Sequence, residues 1–245
     1  MPLGASRLNF LAKKLEAAAP GRTAKTLTTG GNAQIDTAQS QFGGSSMLFD
    51  GTDDYISIPT SAGGDLDFGS NDFTIEAWIR LTDTSGVETI LSNWGTAPGT
   101  VGDRTYFFGA NGANLVFYFY HSSGTINVTC AGSGLSATTW HHVAVVGDSS
   151  NFKIYIDVTE VDSTPRQTID TTTAEVPVSI GLSGVGVFNN FDFNGHIDEL
   201  RVSNNTRYTG SFTPSGTAFT NDSNTLLLIH ADGTDGSTTF VDDNS

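Results

Sequence analysis

FTIEAWIRL, residues 73 to 81, alternates strictly: Phe73, Ile75, Ala77 and Ile79 fall on one side, Thr74, Glu76, Trp78 and Arg80 on the other. Period-two alternation over nine residues is the pattern of a half-buried β-strand, not of a helix. Moving outward, the same rhythm recurs from Met47 onward in short runs. These are MLFDG, DYISI, TILSNW, RTYFFGA, LVFYFYH, TINVTC, HHVAVVG, FKIYIDV, PVSIGL, HIDELRVS and TLLLIHA, nearly all separated by Gly, Asp, Asn, Ser or Pro. About a dozen strands with no helical pattern between them predict an all-β chain of two antiparallel sheets packed face to face, a jelly-roll sandwich. A parallel sheet would need crossover helices, and none is written here.

Composition agrees with that reading. The 245 residues include 28 glycines, 16 Phe, 6 Tyr and 3 Trp, and charged residues make up only 15%. That is enough apolar surface for a real core in one sandwich, and it excludes a disordered polyelectrolyte. No run of 18 apolar residues occurs, so membrane insertion is not expected. The single Cys130 forms no internal disulfide, and TINVTC suits a buried, inert thiol.

The net charge of -15 is unevenly spread. Residues 1 to 25 hold five bases (Arg7, Lys13, Lys14, Arg22, Lys25) against Glu16 alone, or +4. The remainder holds six bases against 25 acids, or -19, a body that repels nucleic acid. Residues 6 to 19 read as a helix: Ser6 caps it, Leu8, Leu11 and Leu15 recur at helical steps, and Pro20-Gly21 stops it. So short a helix needs a surface to lie on, either its own domain or a neighbouring subunit. Two parts are therefore expected, an N-terminal helical arm over 1–25 and a sandwich over 26–245. Leu8, Phe10, Leu11 and Leu15 would be the arm's docking side chains. Residues 22 to 46 read as a loop or extended lead-in. Lys13 and Lys14 break the apolar stretch a signal peptide would need, so no leader is expected.

Five blocks in order, SMLFDGTDDYISIP, DFTIEAWIRL, WHHVAVV, FKIYIDV and FNGHIDELRVSNNTRY, resemble the concanavalin A-like, laminin G-like domain over roughly residues 43 to 208. GNAQIDTAQSQFGGSSMLFDG, RYTGSFTPSG, SNTLLLIHADGTDGSTTFVDDN and the opening MPLGASRLNFLAK resemble one branch of it, laminin G-like proteins of marine bacteriophages. That resemblance implies a non-enzymatic virion protein made in the bacterial host cytoplasm: a capsid decoration, tail or fibre part, joined through its arm to other virion proteins and copies of itself. It also implies a departure. In that branch the LLLxHxDGTDG segment precedes the GNAQID block, whereas here it ends the chain, so residues 224 to 245 would close either this sandwich or a neighbour's. The alternative function is a carbohydrate-binding module that recognises a host surface glycan.

Catalysis finds little support. Retaining glycosidases need two carboxylates about 5 Å apart, and no E-x-D-x-x-E string occurs; Asp198 and Glu199 are adjacent and would face opposite ways. His141 and His142 read as a strand opening for the same reason. The resemblance implies one structural calcium ion, held by Asp198 and the turn around Asp50. Asp50-Gly51 reads equally as a plain tight turn. For a sugar, aromatic faces are needed: Trp94 in SNWGTAPGTVGDR with Tyr106 beyond it, and Phe188, Phe191 and Phe193 in GVFNNFDFNG. Core packing competes for all five.

Overall fold

The computed structural model describes residues 23–60, 64–94, 104–121, 125–171, 176–183 and 191–244, with the backbone alone for Arg104 and residues 125–131. The helix expected over residues 6 to 19, with Leu8, Phe10, Leu11 and Leu15, lies outside them. Among the described residues there is no helix, and fifteen strands, β1 to β15 in chain order, form two sheets. The first sheet has seven strands. In spatial order they are β1 (Thr28–Gly30), β4 (Tyr55–Ile58), β13 (Val178–Ile180), β6 (Val87–Trp94), β7 (Arg104–Asn111), β8 (Asn114–His121) and β9 (Thr125–Ser133). The second runs β12 (Thr159–Pro165), β11 (Asn151–Ile156), β10 (His141–Gly147), β5 (Phe73–Leu81), β14 (Asn194–Ser203), β3 (Ser46–Asp50) and β2 (Gln34–Asp36). Its eighth strand, β15 (Thr225–Ile229), also pairs with β14. Pairing between the strands is antiparallel throughout.

The inward residues of both sheets meet in one core. Phe73, Ile75, Ala77 and Ile79 of β5 face Phe108, Phe117, Phe119 and Ile180 of the other sheet within a single buried cluster. Rings interlock there: Phe73 lies 5.9 Å from Phe117, and Phe119 lies 4.8 Å from Phe152. β14 is the axis of its sheet. β5 runs along one edge, while the other edge is shared end to end by β3, opposite Asn194 to Ile197, and β15, opposite Leu200 to Ser203.

The outer face of the eight-stranded sheet is not solvated. Ala144, Val146 and Tyr155 form a second apolar cluster under Tyr208 and Phe212, whose rings stack at 3.5 Å. The chain from 204 to 221 thus straps this face, and Tyr208 OH reaches Glu76 beneath it.

Residues 22 to 46, expected as lead-in, contain β1 and β2, each three residues long. The end of the chain runs beside them. Ile35 N donates to Ser237 O at 2.7 Å, Gly236 N to Ile35 O at 2.8 Å, and Lys25 N to Asp242 Oδ2 at 2.7 Å. β15 pairs with β14 of its own chain, and Leu226 to Ile229 are buried.

Candidate functional site

The residues expected to hold calcium do not meet. Asp50 stands opposite Asn194 in the ladder, and Asp198 is four residues farther along β14. At strand rise that is about 13 Å, too far for one ion. Asp50 caps its own turn, accepting from Thr52 N at 2.9 Å. Asp198 is fully buried, and its Oδ2 accepts from Gln41 N at 2.7 Å and Phe42 N at 3.0 Å. Those N–H donors occupy Oδ2, while the buried Oδ1 has no hydrogen-bond partner among the described residues. Burial pushes the Asp198 carboxyl up to about 7, the two amides oppose the rise, and the neighbouring Glu199 adds to it. Among the described residues no three His, Cys, Asp or Glu side chains could hold a metal ion.

The expected aromatic platform also divides. Tyr106 is fully buried, 4.9 Å from Phe68, because β7 begins at Arg104 and its alternation turns Tyr106, Phe108 and Ala110 inward. Phe193 is likewise in the core, edge-on to Phe49 at 5.9 Å. Phe188 lies outside the described residues. Trp94 and Phe191 are half-buried, but at opposite ends of β6: Trp94 closes it, while the Phe191 carbonyl accepts from Thr89 N and Oγ1 near its start. Phe191 stands edge-on to Phe107 at 5.9 Å, and Phe107 stacks on Tyr118 at 5.4 Å. These three form an aromatic row on the outer face of the seven-stranded sheet, with Phe107 buried at its centre and Phe191 and Tyr118 half-buried on either side.

Two constellations look chemical and are structural. Glu76, fully buried, is ringed by Arg201 (Nη2 at 2.7 Å, Nε at 2.9 Å), His142 Nε2 at 3.1 Å and Tyr208 OH. Burial alone would raise its pKa, but His142 and Arg201 hold it down to about 2. Asp198 and Glu199, expected on opposite faces, are both met from the strapped side. Glu199 sits in a β-bulge at φ +54°, which breaks the alternation, and binds Phe219 N and His230 Nδ1. All three acids are at most 1% exposed, so no substrate reaches them.

The second constellation has the spacing of a serine–histidine–acid relay. Ser136 Oγ is 2.9 Å from His141 Nε2, and His141 Nδ1 is 3.0 Å from Asp157 Oδ2. Acyl transfer would also require an amide free to stabilise the oxyanion. Here Ser136 N donates instead to the same Nε2, at 3.1 Å. The relay locks the turn that opens β10.

An open site forms where three strand ends meet. A cavity of about 220 Å³ is lined by Gly51 after β3, Asp83, Ser85 and Gly86 in the β5–β6 turn, Val87 and Glu88 of β6, and Asp192 and Asn194 at the start of β14. Gly51 and Gly86 both have φ of +85°, which side-chain-bearing residues rarely adopt, and a Cβ on Gly51 would come within 3.1 Å of Asn194. Asp83 accepts from Ser85 N at 2.7 Å and from its hydroxyl, which holds its carboxyl below the usual range. Asp192 Oδ1 accepts from Asp53 N at 3.1 Å. Glu88 is only 5% exposed, and its one hydrogen bond is Asn194 N to Oε2 at 3.2 Å. Burial, with Asp83 nearby, pushes it up to about 7 despite that bond. Phe191 directly precedes Asp192, one of the residues lining this cavity. Amides, hydroxyls and carboxylates beside an aromatic row are the groups that hold a polyol.

A family model described as the concanavalin A-like lectin/glucanases superfamily matches residues 50–211. No curated protein matches the chain. Among solved structures, the binding domain of Paraclostridial Mosquitocidal Protein 1 superposes with a TM-score of 0.57 at 18% identity, over 75% of this chain and 45% of that one. Domain 4 of AbnA, a GH43 extracellular arabinanase from Geobacillus stearothermophilus, in complex with arabinotriose, gives 0.51 at 19% identity, over 78% and 84%. The botulinum neurotoxin serotype D ligand binding domain, in complex with N-acetylneuraminic acid, gives 0.53 at 12% identity, over 77% and 44%. The chain thus spans less than half of the two toxin domains. At these identities the likeness is one of fold.

Proposed function

Because the chain belongs to the concanavalin A-like lectin/glucanases superfamily, we propose that it is a non-catalytic glycan-binding module whose site is the cavity where β3, β6 and β14 meet. One observation carries this reading. Hydrogen-bonding groups from Asp83, Ser85, Glu88, Asp192 and Asn194 line an open cavity, and the half-buried Phe191 is the chain neighbour of Asp192 in its wall. Sugar hydroxyls satisfy such acceptors, and a pyranose face stacks on an aromatic edge of this kind. The acids that resemble catalytic groups, Glu76, Asp198 and Glu199, are sealed away, which supports binding without turnover. Structures of similar fold crystallised with arabinotriose or N-acetylneuraminic acid support the class of ligand.

The test is a glycan array probed with the intact protein and with Phe191→Ala. The protein should bind a defined set of glycans saturably, and the variant should lose at least about tenfold in affinity, the worth of one stacking contact of about 1.4 kcal/mol. Silence across the array, or equal binding by the variant, overturns the reading.

For the setting, we propose a bacteriophage virion, on the sequence resemblance, with residues 1 to 21 as the tether to neighbouring subunits. Light scattering with and without those residues tests the tether. An assembly that survives their removal overturns it.

A further inference from the structure

We propose that the cavity where β3, β6 and β14 meet is a specificity subsite for a cationic amino sugar, with the ligand's primary ammonium on Glu88 Oε1. This rests on the glycan-binding reading above.

Three carboxylates, Asp83, Glu88 and Asp192, line the cavity, and among the described residues no Lys, Arg or His does. Two of them are already engaged through backbone amides: Asp83 with Ser85 N and Asp192 with Asp53 N. Glu88 differs. It is only 5% exposed, yet among the described residues Oε1 accepts no hydrogen bond while Oε2 holds Asn194 N. An acid this sheltered, with one oxygen open to the cavity and no donor on it, is costly to keep ionised, and the cavity already carries two other acids.

A ligand that answers this arrangement supplies hydrogen-bond donors and positive charge together. An anionic sugar, a sialic or uronic acid, would set a fourth carboxylate among three. A bare divalent ion fits poorly as well. Calcium wants six to eight oxygens at 2.3–2.6 Å, and no three acidic or imidazole groups among the described residues could hold a metal ion. A primary ammonium carries three donors on a tetrahedral nitrogen and needs only one close carboxylate, with the others acting at longer range. On a sugar ring it also arrives with hydroxyls for Asn194 and Ser85 and an apolar face for Phe191.

Titration calorimetry on the full chain compares three probes: a fully deacetylated β-1,4-glucosamine tetramer, the N-acetylated tetramer, and sialyllactose. The deacetylated tetramer should bind at least about tenfold more tightly than the acetylated one, with no detectable sialyllactose binding. Glu88→Gln should erase that preference. Asp83→Asn, at an exposed position, should reduce it without abolishing it. Equal binding of the two tetramers, or binding of sialyllactose, overturns the amino-sugar assignment and leaves glycan binding standing. No binding to any glycan, here or on the array, overturns both. Calcium that binds alone and displaces the deacetylated tetramer assigns the Glu88 oxygen to a metal and overturns the proposal.

Discussion

Glu76 and Glu88 are twelve residues apart on neighbouring stretches of one chain, both largely hidden from bulk water, and they behave in opposite ways. Glu76 is ringed by Arg201, His142 and Tyr208 under the 204–221 strap, and its pKa is held down to about 2. Glu88 has one backbone amide, an open cavity before it, and a value pushed up to about 7. Burial does not separate a structural acid from a binding one. What separates them is whether the chain has already supplied every partner. Glu76 is complete, whereas Glu88 is left waiting for a donor.

The contrast can be broken from several sides. The largest effect is expected from removing residues 224 to 245. This strips β15 from β14, takes His230 from Glu199, and bares the sheet edge beside the completed cluster. The truncated chain should aggregate or remain unfolded, seen as loss of the cooperative transition in circular dichroism. A soluble product with an unchanged melting temperature would refute the role given to the tail.

Next comes Glu76→Gln, which leaves the buried Arg201 guanidinium without its counter-charge. Removing one partner of a buried pair costs about 3–5 kcal/mol. Urea denaturation should show that loss, and a change under 1 kcal/mol would mean that Glu76 is no more complete than Glu88.

Glu88→Gln should act with the opposite sign. The Glu88 value is raised in the folded state, from 4.5 to about 7. Between those pH values the unfolded chain gives up its proton first, so folding stability falls as pH rises through the window and levels off above it. Glutamine keeps the acceptor for Asn194 N and has no charge to desolvate. The variant should therefore be more stable than the parent at pH 8, by roughly 2 kcal/mol, and indistinguishable from it near pH 4. Parallel stability–pH curves for the two proteins would remove Glu88 from the comparison.

The smallest effect on stability is expected at Phe191. Already half-solvated, it should cost about 1 kcal/mol or less on truncation to Ala, while glycan affinity drops. A large thermal destabilisation would make it a packing residue instead.

Much of the fold was legible in local pattern. The alternation of FTIEAWIRL places Phe73, Ile75, Ala77 and Ile79 in the core, where they lie. The other face was not legible. Thr74 and Glu76 look half-solvated because the groups that meet them, the Asn205 carbonyl, Arg207 and Tyr208, come more than 120 positions later, and Trp78 is met edge-on by Phe42 from the lead-in. Tyr106 is grouped with the loop aromatics although RTYFFGA already places it in a strand, and the alternation of that strand turns it into the core. The bulge at Glu199 carries no glycine or other signal, so strict alternation misplaced it. The cavity was harder still. Asp83 and Glu88 lie at one turn, but Gly51, Asp192 and Asn194 come from segments far from it in sequence, and only folding brings these strand ends together. Asp-x-Ser-Gly at 83–86 and Asn194-Gly195 mark turns in the sequence, with nothing to say that they face each other.

The meeting of Lys25 and Asp242 has a mechanical meaning. Asp242 is anchored to Leu228 N, which lies opposite Arg201 toward the far end of β14 from Asn194 and the cavity. The start and the end of the described chain are thereby tied to each other and to the two sheets at once: the covalent chain after Lys25 runs into β1 of one sheet, while Asp242 holds it to β15 of the other.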